Sequence, residues 1–166
     1  MNPTANKQEF ITLINSNKGI IYKVCNAYCN APEDREDLAQ EIIYNLLKSF
    51  QNYKASAKFS TWMYRIALNV AISFYRKESQ SLKRSAFDES VVAFDEQSDE
   101  DENVHLLFRF IGELKEMDRS IILLYLEDKS YKEIAEITGI TQTNVATKVN
   151  RIKQNLKTSF LTTQIK

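Results

Sequence analysis

Only three of the 166 residues are glycine and two are proline, and that scarcity constrains the fold more than any other feature of the chain. A many-stranded sheet needs a turn every several residues, and its tight turns draw on Gly, Pro, Asn and Asp for backbone angles other residues resist. What recurs here instead is Leu, Ile, Lys, Glu, Gln and Ala, the residues that lose least on entering a helix. The predicted class is all-α. A hydrophobic content of 43% supports a packed core. No apolar run reaches membrane-span length, and Met1–Lys7 lacks the apolar centre of a signal peptide, so the expectation is a soluble, cytoplasmic protein.

The formal net charge of zero conceals a strong division. Residues 1–87 sum to +5, residues 88–102 to −8 with no basic side chain, and residues 103–166 to +3. A uniformly acidic block of low hydropathy reads as a flexible linker lying outside a folded core. Two small helical domains joined by such a linker are therefore expected, the boundary falling across residues 81–103. An acidic strap between two basic bodies is also expected to screen them and weaken nucleic-acid binding by the free protein.

The first body centres on Lys58–Lys77. Ser60 or Thr61 is expected to cap a helix there, a short hydroxyl accepting a hydrogen bond from the first turn. Trp62, Ile66, Val70 and Phe74 recur every fourth residue, widened by Met63 and Ala67, which predicts the buried stripe. Lys58, Arg65, Asn69, Arg76 and Lys77 surround it, interleaved with Phe59, Tyr64 and Tyr75, and no acid occurs from Tyr53 through Lys77. Cations supply charge for phosphates and flat rings supply faces for unstacked bases, the combination a melted nucleic acid needs. The same residues also suit an ordinary core helix with a buried Trp.

Upstream, Phe10, Leu13, Ile14, Ile20, Ile21, Val24 and Tyr28 predict one long helix, or two broken near Asn17-Lys18-Gly19. Asn30-Ala-Pro-Glu-Asp predicts a turn and a helix start, with acids at the positive end of the helix dipole. The helix Glu33–Phe50 has an apolar face of Leu38, Ile42, Leu46 and Phe50, with Ile43 and Leu47 alongside. Its acids, Glu33, Asp34, Glu36, Asp37 and Glu41, suit docking of a basic protein partner, or else a plain solvated face. Gln51–Lys58 is a polar loop. Cys25 and Cys29 stand four apart with no CxxC, and the one histidine, His105, is remote. Buried free thiols are expected, and no metal or cofactor.

The second body begins near Val104. Leu106, Leu107, Phe110, Ile111 and Leu114 predict one helix, and Ile121, Ile122, Leu124, Tyr125 and Leu126 another. Ser130 and Glu133 form a capping-box pattern ahead of Tyr131–Thr138. Ile134, Ala135 and Ile137 point inward, Gly139 permits a turn with φ > 0, and Ile140 closes the corner. A last helix starts at Thr141 or Gln142 and buries Val145, Val149, Ile152 and Leu156. Its other face shows Gln142, Thr143, Asn144, Thr147, Lys148, Arg151 and Lys153, with no acid from Thr141 to Lys166. This is helix-turn-helix grammar, with amide, hydroxyl and cationic groups able to meet base edges and phosphates.

Taken together, Asp37-Leu-Ala-Gln-Glu41, Phe59-Ser-Thr-Trp-Met-Tyr-Arg-Ile-Ala-Leu-Asn69, Tyr131-Lys-Glu-Ile-Ala-Glu-Ile-Thr-Gly-Ile140 and Val145-Ala-Thr-Lys-Val-Asn-Arg151 resemble a bacterial RNA polymerase sigma factor of the extracytoplasmic-function (ECF) group of the sigma-70 family. The resemblance spans nearly the whole chain. It implies a region 2-like domain over 1–80, a linker over 81–103 and a region 4-like domain over 104–166. It implies that Asp37, Leu38, Gln40, Glu41 and Tyr44 grip core RNA polymerase. It assigns the promoter minus-ten element to Lys54, Lys58, Phe59, Ser60, Thr61, Trp62, Arg65, Asn69 and Arg76. It assigns the minus-thirty-five element to Ser130, Tyr131, Thr141, Gln142, Thr143, Asn144, Thr147, Lys148 and Arg151. Two positions depart from the family pattern: Leu68 stands where an Arg is frequent and Ser73 where an Asp is. The implied partners are core polymerase, promoter DNA and, as in many relatives, an anti-sigma factor. No catalytic constellation is present in the sequence, and the chain is expected to be a monomer when free of polymerase. The competing reading is a dimeric helix-turn-helix regulator, for which neither the acidic patch nor the aromatic-basic helix has a use.

Overall fold

The computed structural model describes residues 3–54, 56–82 and 102–165. The chain divides into two compact units, Met1–Phe87 and Asp88–Lys166. Among the described residues every regular element is a helix. The expected acidic linker lies almost wholly outside the described residues. At its edges helix runs further than expected, to Leu82 on one side and from Glu102 on the other.

In the first unit, α1 (Pro3–Ser16) and α2 (Lys18–Tyr28) are separate helices, broken at Asn17. The Asn17 side chain donates from Nδ2 to the Leu13 carbonyl at 2.9 Å, so a side chain takes over a backbone acceptor at the break. Pro32 occupies the first position of α3 (Pro32–Ser49), followed by Glu33 and Asp34 in the first turn. There the missing N–H costs nothing and the acids face the positive helix end. A 3₁₀ turn, Phe50–Asn52, ends it, and α4 (Phe59–Leu82) follows after a short loop.

The core of this unit is where α2, α3 and α4 meet. Val24, Leu38, Ile42, Leu46, Met63, Ala67 and Ala71 are fully enclosed. The buried face of α4 is Met63, Tyr64, Ala67, Leu68 and Ala71, while Trp62, Ile66, Val70 and Phe74 are only half-buried. The expected stripe is thus displaced by about one residue, or roughly 100° around the helix. Small side chains decide this: Ala67 and Ala71 let α4 approach its neighbours closely, and the bulkier residues flank the contact. Helix α4 begins at Phe59, the Trp62 N–H bonding the Lys58 carbonyl at 3.2 Å. Ser60 and Thr61 therefore lie inside the first turn rather than capping it.

The second unit comprises α5 (Glu102–Gly112), α6 (Glu116–Leu126), α7 (Tyr131–Thr138) and α8 (Gln142–Ile165). Ile111, Ile121, Ile122, Leu124, Ile134, Ile137, Val145, Val149, Ile152 and Leu156 form its core. On α6 it is Leu123 that is buried, whereas Leu126 is exposed. Arg119 is also interior, at 2% exposure. Its Nη2 donates to the carbonyls of Gly112 at 2.5 Å and Leu114 at 3.1 Å, so one buried cation ties off the C-terminal end of α5 and the turn after it. Between α6 and α7, Asp128 is left-handed at φ 60°. The N–H groups of Asp128 and Lys129 bond the carbonyls of Tyr125 and Leu124, each at 3.1 Å, the paired closure of a Schellman motif.

Candidate nucleic-acid interface

The loop before α4 is held by rings. Tyr53 lies 5.1 Å from Trp62 and 5.5 Å from Phe59, centroid to centroid, and Phe59 lies 5.3 Å from Trp62. Phe50 lies 6.3 Å from both Tyr53 and Trp62 and 5.2 Å from Phe10. The Tyr53 hydroxyl donates to the Ala57 carbonyl at 2.9 Å, closing the loop. Trp62 is accordingly one wall of a five-ring cluster, and its first effect is to fix the loop that carries Lys54 and Lys58. Both lysines are exposed.

Past the cluster, Arg65, Asn69 and Arg76 are exposed. At 100° per residue they fall within about 40° of one another, making one cation–amide–cation stripe along α4 that starts beside the ring cluster. Phe59 and Ser60 are half-buried at the loop junction. Thr61 is buried, so it is no surface contact. Leu68, at the position where the resemblance leads one to look for an Arg, belongs to the core, and Ser73 is exposed on the stripe's flank.

Helix α3 presents a different chemistry. Asp37, Gln40, Glu41 and Tyr44 are exposed and share the side of α3 opposite Leu38, Ile42 and Leu46 by helical rotation. Leu38 has no exposed surface. It anchors the helix and cannot touch a partner, which corrects its expected place among the contact residues. Ile43 and Leu47, expected to widen the buried face, are exposed instead, and they lie beside the acidic row. A cleft of about 620 Å³ adjoins Ile43, which lines it with Ile14, Ile21, Tyr22, Cys25 and Arg35 among others. Sequence periodicity assigned Ile43 and Leu47 inward because it cannot tell the edge of a stripe from its centre. Both cysteines are buried free thiols. Burial pushes the Cys25 thiol up from the usual 9.0 to about 11, the Arg35 guanidinium opposing it weakly, so this sulfur stays protonated and unreactive near neutrality.

In the second unit the helix-turn-helix is built as its spacing predicts. The Glu133 N–H donates to Ser130 Oγ at 3.1 Å, and the Ser130 N–H to Glu133 Oε2 at 3.4 Å. Gly139 turns the chain at φ 80°. Thr141 Oγ1 accepts from the Asn144 N–H at 3.1 Å and so caps α8. Thr143, Asn144, Thr147 and Arg151 are exposed on one face of α8, Lys148 is half-buried beside them, and Thr141 and Gln142 are exposed at the start of the helix. The Thr147 hydroxyl donates back to the Thr143 carbonyl at 3.1 Å. Ser130 is engaged in the cap, and the half-buried Tyr131 ring lies 6.5 Å from that of Tyr125. Both frame the motif from its edge. The sequence reading overlooked what α6 contributes. Asp118 lies 3.8 Å from Lys148 Nζ and 3.4 Å from Arg151 Nη2, and the Tyr125 ring sits 4.5 Å beneath Lys153 Nζ.

A helix-turn-helix with a cationic, amide-bearing second helix defines the class as a DNA-binding protein, and a second helical unit with a basic stripe and an acidic row narrows it. Family models agree: residues 13–81 match Sigma-70 region 2 and residues 105–156 match Sigma-70 region 4. The chain is 30% identical to the RNA polymerase sigma factor SigV of Bacillus subtilis over 147 residues, covering 87% of each protein. It is 28% identical to the ECF RNA polymerase sigma factor SigW of the same organism, covering 89% of this chain and 87% of that one. Among solved structures, the sigma factor RpoE in complex with the anti-sigma factor NepR from Bartonella quintana shares the fold at a TM-score of 0.70 and 20% identity, over 93% of this chain and 95% of that one. CnrH in complex with the cytosolic domain of CnrY shares it at 0.66 and 18%, over 93% and 89%. The chain belongs to the sigma-70 family of RNA polymerase sigma factors, in its extracytoplasmic-function group. It is a transcription initiation factor, and nothing in these likenesses supports a dimeric regulator. No helix among the described residues is long and apolar enough to cross a membrane.

Proposed function

We propose that the chain binds core RNA polymerase through the exposed row Asp37, Gln40, Glu41 and Tyr44 on α3, and delivers it to promoters read at two places. The stripe Arg65, Asn69 and Arg76, with Lys54 and Lys58 from the adjoining loop, takes the melted minus-ten strand. The α8 face of Thr143, Asn144, Thr147, Lys148 and Arg151, with Thr141 and Gln142 at the start of the helix, takes the minus-thirty-five duplex. The observation that carries this reading is the separation of chemistries on the first unit. Five of the acids of residues 1–87, Glu33, Asp34, Glu36, Asp37 and Glu41, stand on α3, whereas α4 carries no acid from Phe59 to Lys77, so a basic protein surface and a polyanion are served by different faces.

The factor has no catalysis of its own. Its contribution to melting is to hold unpaired bases, whose extrusion from the duplex costs a few kcal/mol that contacts must offset. It acts in the cytoplasm as a monomer until polymerase takes it up. An anti-sigma factor is a further expected partner, because the sigma factor RpoE of Bartonella quintana, which shares the fold, is in complex with the anti-sigma factor NepR.

Co-elution with core polymerase and permanganate footprinting of a cognate promoter test these assignments together. Asp37→Arg should abolish co-elution. An Arg65→Ala, Asn69→Ala double variant should co-elute normally but leave the minus-ten thymines unreactive. Normal co-elution of Asp37→Arg would remove the α3 assignment, and unchanged thymine reactivity in the double variant would remove the α4 assignment.

A further inference from the structure

We propose that Asp118 is a built-in counter-charge to the DNA-facing helix, lowering its grip on DNA of any sequence. The inference rests on the reading that α8 meets duplex DNA. Between Thr141 and Lys166 the chain carries no acid, so α8 has no anion of its own to temper its cations. Asp118 supplies one from α6, across a separation of 33 residues from Arg151.

The geometry is that of a counter-ion and not of a rigid clamp. A single guanidinium nitrogen of Arg151, Nη2, is 3.4 Å from both carboxylate oxygens, and Lys148 Nζ is 3.8 Å from Oδ1. A bidentate, charge-assisted pair would use two nitrogens at about 2.7–2.9 Å. The Asp118 side chain is only 16% exposed, whereas those of Lys148 and Arg151 are 31% and 54% exposed. The anion thus sits beneath its cations, and the remaining guanidinium donors stay available to a phosphate. Asp118 also stands in the first turn of α6, where the helix end favours a negative charge, which pins the carboxylate independently of α8. Three charged groups therefore present a net of +1 to a phosphate backbone where the two cations alone would present +2. A ligand bound mainly through phosphates loses most from that difference. A ligand also held by base-edge contacts loses proportionally less, so the counter-charge favours discrimination.

The test is the salt dependence of binding to a random-sequence duplex, measured with the full chain. One additional phosphate-neutralising charge steepens the slope of log K against log salt by up to about 0.9. Asp118→Asn should therefore bind up to about fifteenfold tighter at ~50 mM salt and up to about fourfold tighter at ~200 mM. Asp118→Glu, which keeps the charge, should behave as the parent, and Asp118→Ser replaces the Asn variant if that one melts at the assay temperature. Equal or weaker binding by both neutral variants, with an unchanged or shallower slope, would overturn the proposal and make Asp118 an anchor for the two cations. A Lys148→Gln, Arg151→Gln variant separates the two levels of inference. If it binds as the parent does, α8 is not the duplex-binding face. If it binds more weakly while neutralising Asp118 gives no gain, only the counter-charge is lost.

Discussion

Arg119 offers the sharpest test of how the second unit is held together. Replacing it with Met keeps an unbranched side chain of similar reach in a site that is 2% exposed but removes the donors to the Gly112 and Leu114 carbonyls. A hydrogen bond from a charged group contributes about 1.5–3 kcal/mol. Two such bonds would give about 3–6 kcal/mol, less whatever is regained by no longer burying a cation. Gly112 is exposed, so water can recover part of one acceptor's loss, and a net cost of about 2–3 kcal/mol follows. For a domain of this size each kcal/mol lowers Tm by about 4–8 °C, which places the expected drop near 10–20 °C. Trp62, the one tryptophan of the chain, belongs to the first unit. Far-ultraviolet circular dichroism will report both units, and tryptophan fluorescence the first alone. Arg119→Met should lower a dichroism transition and leave the fluorescence transition in place. A drop below about 3 °C, well under one kcal/mol, would refute the assignment of Arg119 as the tie between α5 and α6.

Three other outcomes follow from the same structure. Asp128→Gly should stabilise the second unit by about 0.5–1 kcal/mol, since Asp128 holds a left-handed conformation that glycine adopts without steric cost; a lowered dichroism midpoint would contradict it. Trp62→Ala should cost the first unit about 2–4 kcal/mol, toward the low end for an aromatic truncation because the ring is half-buried, with Trp62→Phe recovering most of it in a urea titration. Finally, the Cys25 thiol is raised to about 11, so the fold favours its protonated form. That preference is fully present below about pH 9 and is lost as pH climbs toward 11. Stability should therefore fall more steeply over this window in the parent than in Cys25→Ala, and parallel curves for the two would refute the burial of that sulfur.

What could be read from the sequence depended on how local its cause was. The helix-turn-helix is specified within a few residues at each point: Ser130 with Glu133, Gly139 at the turn, a helix start at Thr141 or Gln142, and Val145, Val149, Ile152 and Leu156 at helical spacing. Each was legible because a short-range hydrogen bond or a periodic burial creates it. The face of α4 was not, because apolar residues occur at several registers along it and only packing against α2 and α3 selects Ala67, Leu68 and Ala71. Leu38 has the same lesson from the other side: it lies among residues that the resemblance assigns to polymerase contact, yet it is fully enclosed and anchors the helix. Nor do pairings such as Asp118 with Arg151, or the ring cluster of Phe10, Phe50, Tyr53, Phe59 and Trp62, leave a local signature, since their members come from different elements.

Run-off transcription with core polymerase, on genomic fragments and with or without this protein, tests the account most directly. The prediction is a set of new, discrete transcripts that disappear with Asp37→Arg and weaken with the Lys148→Gln, Arg151→Gln variant. Sequence-specific duplex binding by the protein alone, with no new transcript in the presence of core polymerase, would contradict it.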